Sequence, residues 1–217
     1  MSVLTFDELN VLGKKRRSEP IDEYYEPMRI SRKRKQKRME VARKYRDALL
    51  EYMHFVDEYE EYGYIDVPAT EMLRESIVSL IEDAFIISQT AESDAQAVYQ
   101  TYADRISREI HESTMRNKGK DAYFLSEDRA TFIGEDESNG LCGYDELQEA
   151  YEYGKSKKTW HTVRDKAVRD THKKVEGKTV PLEKPFVVGG VEMMIPRDPE
   201  VDAPEETAGC RCWVTFS

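Results

Sequence analysis

Cys210 and Cys212 are separated by a single residue, a spacing that on a β-strand turns both thiols to the same face. Thiolate and imidazole are the preferred ligands of zinc, whose tetrahedral geometry needs four groups, so the pair could form a site with His172 or His161. Against this, the chain has no second cysteine pair and no standard zinc-ligand spacing, and buried thiols are common core residues. The two are therefore read as packing residues, with no cofactor expected and zinc as the alternative. Arg169 and His172 stand three apart on what reads as a short helix and so share a face. Joined by Glu137 they could make a general acid-base set or a phosphate-handling site, such as a nuclease or a toxin-like enzyme would use. The competing arrangement is an arginine-carboxylate bridge tying that helix to the body, with His172 hydrogen-bonded at its edge. It is preferred because clustered carboxylates for magnesium are not evident, and no enzymatic activity is expected.

A third chemical feature is the basic run Arg32, Lys33, Arg34, Lys35, Lys37 and Arg38. Residues 1–46 hold 14 basic and 7 acidic side chains, a net +7, while the remainder holds 19 and 36, a net −17, so the total of −10 conceals a polarity. A basic segment on an acidic body suits contact with a polyanion at one end only. The six side chains are assigned nonspecific, salt-sensitive contacts with double-stranded DNA phosphates, the alternatives being a solvated helix face or a dock for an acidic partner. The run lacks the aromatic interleaving of a single-strand reader. Tyrosines Tyr52, Tyr59, Tyr62 and Tyr64 among acidic residues read as a helix end at an interface, and Tyr24-Tyr25 as a docking peptide.

These groups must be positioned by elements that the apolar spacing outlines. Residues 1–30 lack periodic apolar spacing beyond Leu4 to Leu9 and read as a flexible basic arm. Met39, Ala42, Leu49 and Met53 mark a long helix, Leu73, Ile77, Leu80 and Ile81 a second one capped by Thr70, and Val98, Tyr102, Ile106 and Ile110 a third that stops near Gly119. Ser126 caps a fourth, with Glu127 and Asp128 in its first turn, and Asn139-Gly140 interrupts or ends it. This is a helical body over residues 31–154. From 155 to 217 the texture changes: Thr162 to Asp165 opens a short helix reaching Val175, with Gly177 as its left-handed cap. Gly189-Gly190 joins Phe186-Val187-Val188 to Val191 through Ile195 as a two-residue hairpin, and residues 210–216 form the last strand. The fold class is α+β, a mainly helical N-terminal body with a small C-terminal α+β module.

At 217 residues, 35% charged and 39% hydrophobic, the chain suffices for one good-sized domain, not two full cores. No apolar run approaches a membrane span, and no signal peptide is evident at the N-terminus. Three cysteines are too few for a secreted disulfide framework, so reduced thiols and synthesis in the cytoplasm are expected.

The order of Trp160-His161-Thr162-Val163-Arg164-Asp165, Arg169, His172, Gly177, Pro185-Phe186, Pro196-Arg197-Asp198-Pro199 and Cys210-Arg211-Cys212 resembles the C-terminal signature of the phage Mu F-like minor head proteins. The resemblance runs from about Ser126 to the end, and departs from the family at Gly209, where an asparagine is expected, and at the acidic Gly134 to Glu137. It implies a structural motif of Trp160, Asp165, Arg169, His172, Gly177, Cys210 and Cys212. It also implies a low-copy head component of the virion that meets the portal protein and other head proteins during procapsid assembly and accompanies DNA at packaging or ejection.

Overall fold

The computed structural model describes residues 21–58, 66–85 and 92–217. The expectations for Leu4 to Leu9, for the basic residues Lys14 to Arg17 and for Tyr59, Tyr62 and Tyr64 lie outside the described residues. In chain order the helices are α1 (Ile21–Tyr24), α2 (Arg32–Glu58), α3 (Asp66–Ala84), α4 (Glu92–Asn117), α5 (Glu127–Glu152), α6 (Asp170–Lys173) and α7 (Pro204–Thr207). The strands are β1 (Lys157–His161), β2 (Thr179–Pro181), β3 (Phe186–Val188), β4 (Val191–Met193) and β5 (Trp213–Phe216). The fold is α+β, helical in its N-terminal part with small antiparallel sheets at the C-terminus.

The described chain divides into two compact units. One comprises residues 41–134 and is helical. Its core is the set of stripes the periodicity predicts: Ala42, Leu49 and Met53 on α2, Leu73, Ile77, Leu80 and Ile81 on α3, and Tyr102, Ile106 and Ile110 on α4, all buried. Tyrosines complete it, because a buried phenol must find a partner. Tyr45 and Tyr102 pair their hydroxyls at 3.2 Å, and the Tyr52 hydroxyl meets His111 Nδ1 at 2.9 Å, so Tyr52 is a core residue here. Buried Arg129 donates from Nη1 to Thr114 Oγ1 at 2.7 Å and to the Phe124 carbonyl at 2.9 Å, and lies over the Phe124 ring. Ser126 caps α5 as expected, its Oγ accepting from the Arg129 N–H at 3.3 Å. Thr70 instead lies inside α3, which begins four residues earlier, at Asp66; Pro68 sits in the first turn, where its missing N–H costs no helical bond.

The other unit comprises residues 21–40 and 135–217. Its three-stranded sheet has the order β2-β1-β5, both pairings antiparallel, with Trp160 opposite Val214 and Lys158 opposite Val180 and Phe216. The β3-β4 hairpin closes through Gly189 (φ +61°) and Gly190 (φ +93°), the left-handed geometry that the glycine pair predicts. Trp160 is fully buried, its ring edge-on to Phe186 at 5.3 Å and to His172 at 5.7 Å.

Four expectations are corrected in this unit. Residues 21–30 are not a loose arm: Tyr24, Tyr25 and Met28 are buried, and the Tyr25 hydroxyl donates to the Glu135 carbonyl at 3.1 Å and meets Ser138 Oγ at 2.5 Å. α5 runs unbroken through Asn139-Gly140. The glycine is there for close approach, since a Cβ at position 140 would lie 2.7 Å from the Arg197 carbonyl oxygen. The segment from Thr162 is not a helix: Thr162 Oγ1 accepts from the Arg164 N–H, Asp165 Oδ1 accepts from the Ala167 N–H at 2.9 Å, and Arg164 has φ +59°. Such local side-chain bonds offer the backbone an alternative to the helix, which is confined to Asp170–Lys173. Gly177 does take a positive φ of +72°, and its N–H donates to the Trp160 carbonyl. Finally, Cys210 and Cys212 precede β5, which begins at Trp213.

Candidate functional site

α6 presents His172 to the segment that enters β5. His172 Nδ1 lies 3.4 Å from Cys210 Sγ and 3.4 Å from Cys212 Sγ, while Nε2 lies 3.0 Å from Glu206 Oε2. The three ligating atoms are within 4.8 Å of one another, and all three side chains are buried. Burial acts to lower the His172 pKa, but the hydrogen bond and charge of Cys210 outweigh it and the imidazole is held above its ordinary value. Burial likewise acts to raise the Cys210 thiol, yet hydrogen bonds from Cys212 and His172 bring it well below its ordinary value. Cys212 is pushed well up by its hydrogen bond to Cys210 and then by burial. The three groups thus shift one another's proton equilibria within one buried, hydrogen-bonded set. Around this cluster Thr171 Oγ1 donates to Glu206 Oε2 at 2.8 Å, and Asn139 Nδ2 donates to the carbonyls of Cys210 (3.2 Å) and Cys212 (3.1 Å). The hairpin turn presses on the same carboxylate: a Cβ at Gly189 would stand 1.8 Å from Glu206 Oε1.

The set Arg169, His172 and Glu137 is not brought together by hydrogen bonds. Arg169 Nη2 donates to the Ala208 carbonyl, His172 is held by Glu206 and the thiols, and Glu137 Oε1 accepts from Arg197 Nη2 at 2.6 Å. An arginine-carboxylate bridge to the body does exist, but it is made by Arg197. Its Nη1 donates to Asp136 Oδ2 at 2.5 Å and to the Thr207 carbonyl at 2.7 Å, and Asp136 Oδ2 also accepts the Gly209 N–H at 2.7 Å. Asp165 accepts from the Arg211 guanidinium, tying the loop after β1 to the Cys-Arg-Cys segment. His161 is apart from the thiols, stacked on Trp213 at 5.5 Å with Nε2 on Thr215 Oγ1.

The basic run is largely consumed by packing, which corrects its assignment as a six-residue DNA face. Arg38 is 1% exposed and donates from Nη1 and Nη2 to Glu146 at 2.5 and 3.0 Å and from Nε to Asn139 Oδ1 at 3.0 Å. Arg34 clamps the same carboxylate and donates to the Val214 carbonyl at 3.1 Å. Burial would raise Glu146, but Arg38 and Arg34 bring it below its ordinary value. Lys37 is close enough to Asp145 to oppose its upward shift, and Lys35 pairs with Glu26 at 3.1 Å. Arg32 and Lys33 remain exposed. Sequence reasoning missed Arg197, Glu206, Glu146 and the buried Lys158, whose amine sits 3.5 Å from Met194 Sδ. A single sequence offers no signal for these partners beyond the oddity of Asn139 inside a helix.

Fold and site together define an α+β protein in which buried charges and thiols tie distant segments to one another. A family model described as Phage Mu protein F like protein matches residues 96–215, more than half of the chain. The chain belongs to this family, and so to the phage head morphogenesis proteins. The match begins within α4, farther upstream than Ser126. No curated protein and no solved structure gives a significant match. Among the described residues no helix is long and apolar enough to cross a membrane.

Proposed function

We propose that this chain is a minor head component that is made in the host cytoplasm and docks at the portal vertex during procapsid assembly through its C-terminal module. The family match to residues 96–215 carries the reading, because it covers that entire module up to β5. Docking at one vertex of a shell requires discrimination. A shaped surface with buried anchors supplies it, whereas scattered charge gives attraction without selectivity. The secondary role in this reading is nonspecific contact with packaged DNA through Arg32 and Lys33, which are exposed on the first turn of α2. The role is structural, and the engagement of Arg169, His172 and Glu137 by separate partners gives the nuclease alternative no support.

The test is mass spectrometry of gradient-purified procapsids and mature virions from phage carrying the wild-type chain, a truncation of residues 210–217, or a deletion of residues 1–20. Truncation removes β5 and with it one edge of the sheet, so that variant is expected to be absent from particles, while the deletion is retained. Retention of the truncated chain together with loss of the deleted one would move docking to the N-terminal segment.

A further inference from the structure

The geometry points to a zinc site made by Cys210 Sγ, Cys212 Sγ and His172 Nδ1, with Glu206 orienting the histidine and a water completing the tetrahedron. Zinc bonds of about 2.3 Å to sulfur and about 2.0 Å to nitrogen, spread at a tetrahedral angle, place N and S roughly 3.5 Å apart. Both N···S separations here are 3.4 Å. The third requirement, two sulfurs on the same side of the imidazole, is met because all three ligating atoms fall within 4.8 Å of one another.

The surroundings are those a metal-bound histidine needs. A ligating imidazole holds its other nitrogen on a carboxylate, which fixes the tautomer and makes the free nitrogen more basic. Glu206 Oε2 sits 3.0 Å from Nε2 and is itself held by the Thr171 hydroxyl, so with the proton on Nε2 the lone pair of Nδ1 faces the sulfurs. The Trp160 ring stands edge-on to His172 at 5.7 Å and walls the cluster on that side. Asn139 holds the carbonyls of both cysteines, which presets the loop between them.

Two other uses of a Cys-His-Glu arrangement fit less well. A nucleophilic cysteine must meet a substrate, and Cys210, Cys212 and His172 are 2%, 3% and 1% exposed. A disulfide would bridge residues two apart and leave the imidazole without its sulfur partners, and both thiols are free. On binding, two thiol protons pass to solvent and the two thiolates neutralise the dication, so the ion adds no net charge beside the buried Glu206 carboxylate. The ion would join α6 to the segment leading into β5, and would make closure of the C-terminal module depend on metal.

The test uses the full chain, expressed with zinc in the medium, purified under reducing conditions without a metal-affinity step, and analysed for metal by mass spectrometry. Near-stoichiometric zinc is expected. After removal by chelator, added cobalt(II) should produce thiolate-to-metal charge-transfer absorption and the intense visible bands of a tetrahedral ion. Cys212→Ser should lose both signals, Cys142→Ser, which changes a thiol outside the cluster, should keep both, and Glu206→Gln should keep the spectrum with affinity lower by about 10–100-fold. Absence of zinc together with a cobalt spectrum lacking the charge-transfer band overturns the proposal, and so does equal metal content in wild type and a folded Cys212→Ser. Should the serine variant not fold, the wild-type cobalt spectrum decides alone, because the band requires sulfur ligation.

Discussion

Arg197 concentrates the buried electrostatics of the C-terminal half. It holds φ +56°, a backbone conformation rare for a side chain of its size, and pairs with both Asp136 and Glu137 on α5. Removing the arginine from such a cluster leaves two buried carboxylates less well compensated, which is costlier than the net worth of the pair. Arg197→Ala is therefore expected to destabilise the chain by about 3–5 kcal/mol in urea unfolding, with Arg197→Lys recovering only part because lysine cannot serve two carboxylates in a planar fork. A loss below about 1 kcal/mol would show that the pairing is not made. Asp145 gives a test of opposite sign. Burial, helped by Glu149 and Glu146 and opposed by Lys37 and Arg38, pushes its pKa up to about 6 from an ordinary 3.8. The folded state then binds more protons than the unfolded one between those values, so this group contributes stability that appears as pH falls from 6 toward 4. Asp145→Asn should be more stable than wild type at pH 7 by on the order of 1–2 kcal/mol. That advantage should shrink across the same acid window, and parallel curves for the two chains would refute the shift.

At the scale of elements, α5 decides most. Gly140 lies within a 26-residue helix, where alanine is normally preferred by about 1 kcal/mol. Here the added methyl would meet the Arg197 carbonyl oxygen at 2.7 Å, a backbone atom that cannot swing aside. Gly140→Ala should lower the melting temperature, whereas Gly119→Ala, with nothing within 4 Å, should leave it unchanged or raise it slightly. Equal effects at the two positions would mean that the close approach does not exist. α2 carries a related lesson. Its first turn is basic and contains no acid, against the preference of a helix N-terminus for negative charge. The compensation comes from Glu146 on α5, which takes both Arg34 and Arg38.

For the whole molecule, DNA affinity separates the roles of the basic residues. Arg32→Gln with Lys33→Gln should leave the melting temperature unchanged. The dependence of log affinity for duplex DNA on log salt should become shallower by about 0.9 for each phosphate contact removed. Arg34→Gln with Arg38→Gln should instead unfold the unit containing residues 21–40, because both hold the Glu146 carboxylate. An unchanged salt slope in the first variant would remove α2 from the DNA contact.

What the sequence determined by itself lies within short spans of chain. The stripes on α2, α3 and α4 follow from a period of 3.6, the Ser126 cap from a hydroxyl beside two acids, and the hairpin from paired glycines able to take positive φ. The same locality misled it at Thr162 to Asp165, where a capping pattern is satisfied by turns, and at Gly140, where a helix breaker is a spacer. The order of the motifs from Trp160 to Cys212 was enough to point to the family, yet not to tell which charge meets which. Glu137 pairs with an arginine 60 residues away and Glu146 with one 108 residues away. The two thiols reach His172 across 38 and 40 residues. Those partners were decided only by tertiary structure, because a buried charge or thiol takes whichever complementary group packing brings within about 3 Å, and no period or local spacing encodes that choice.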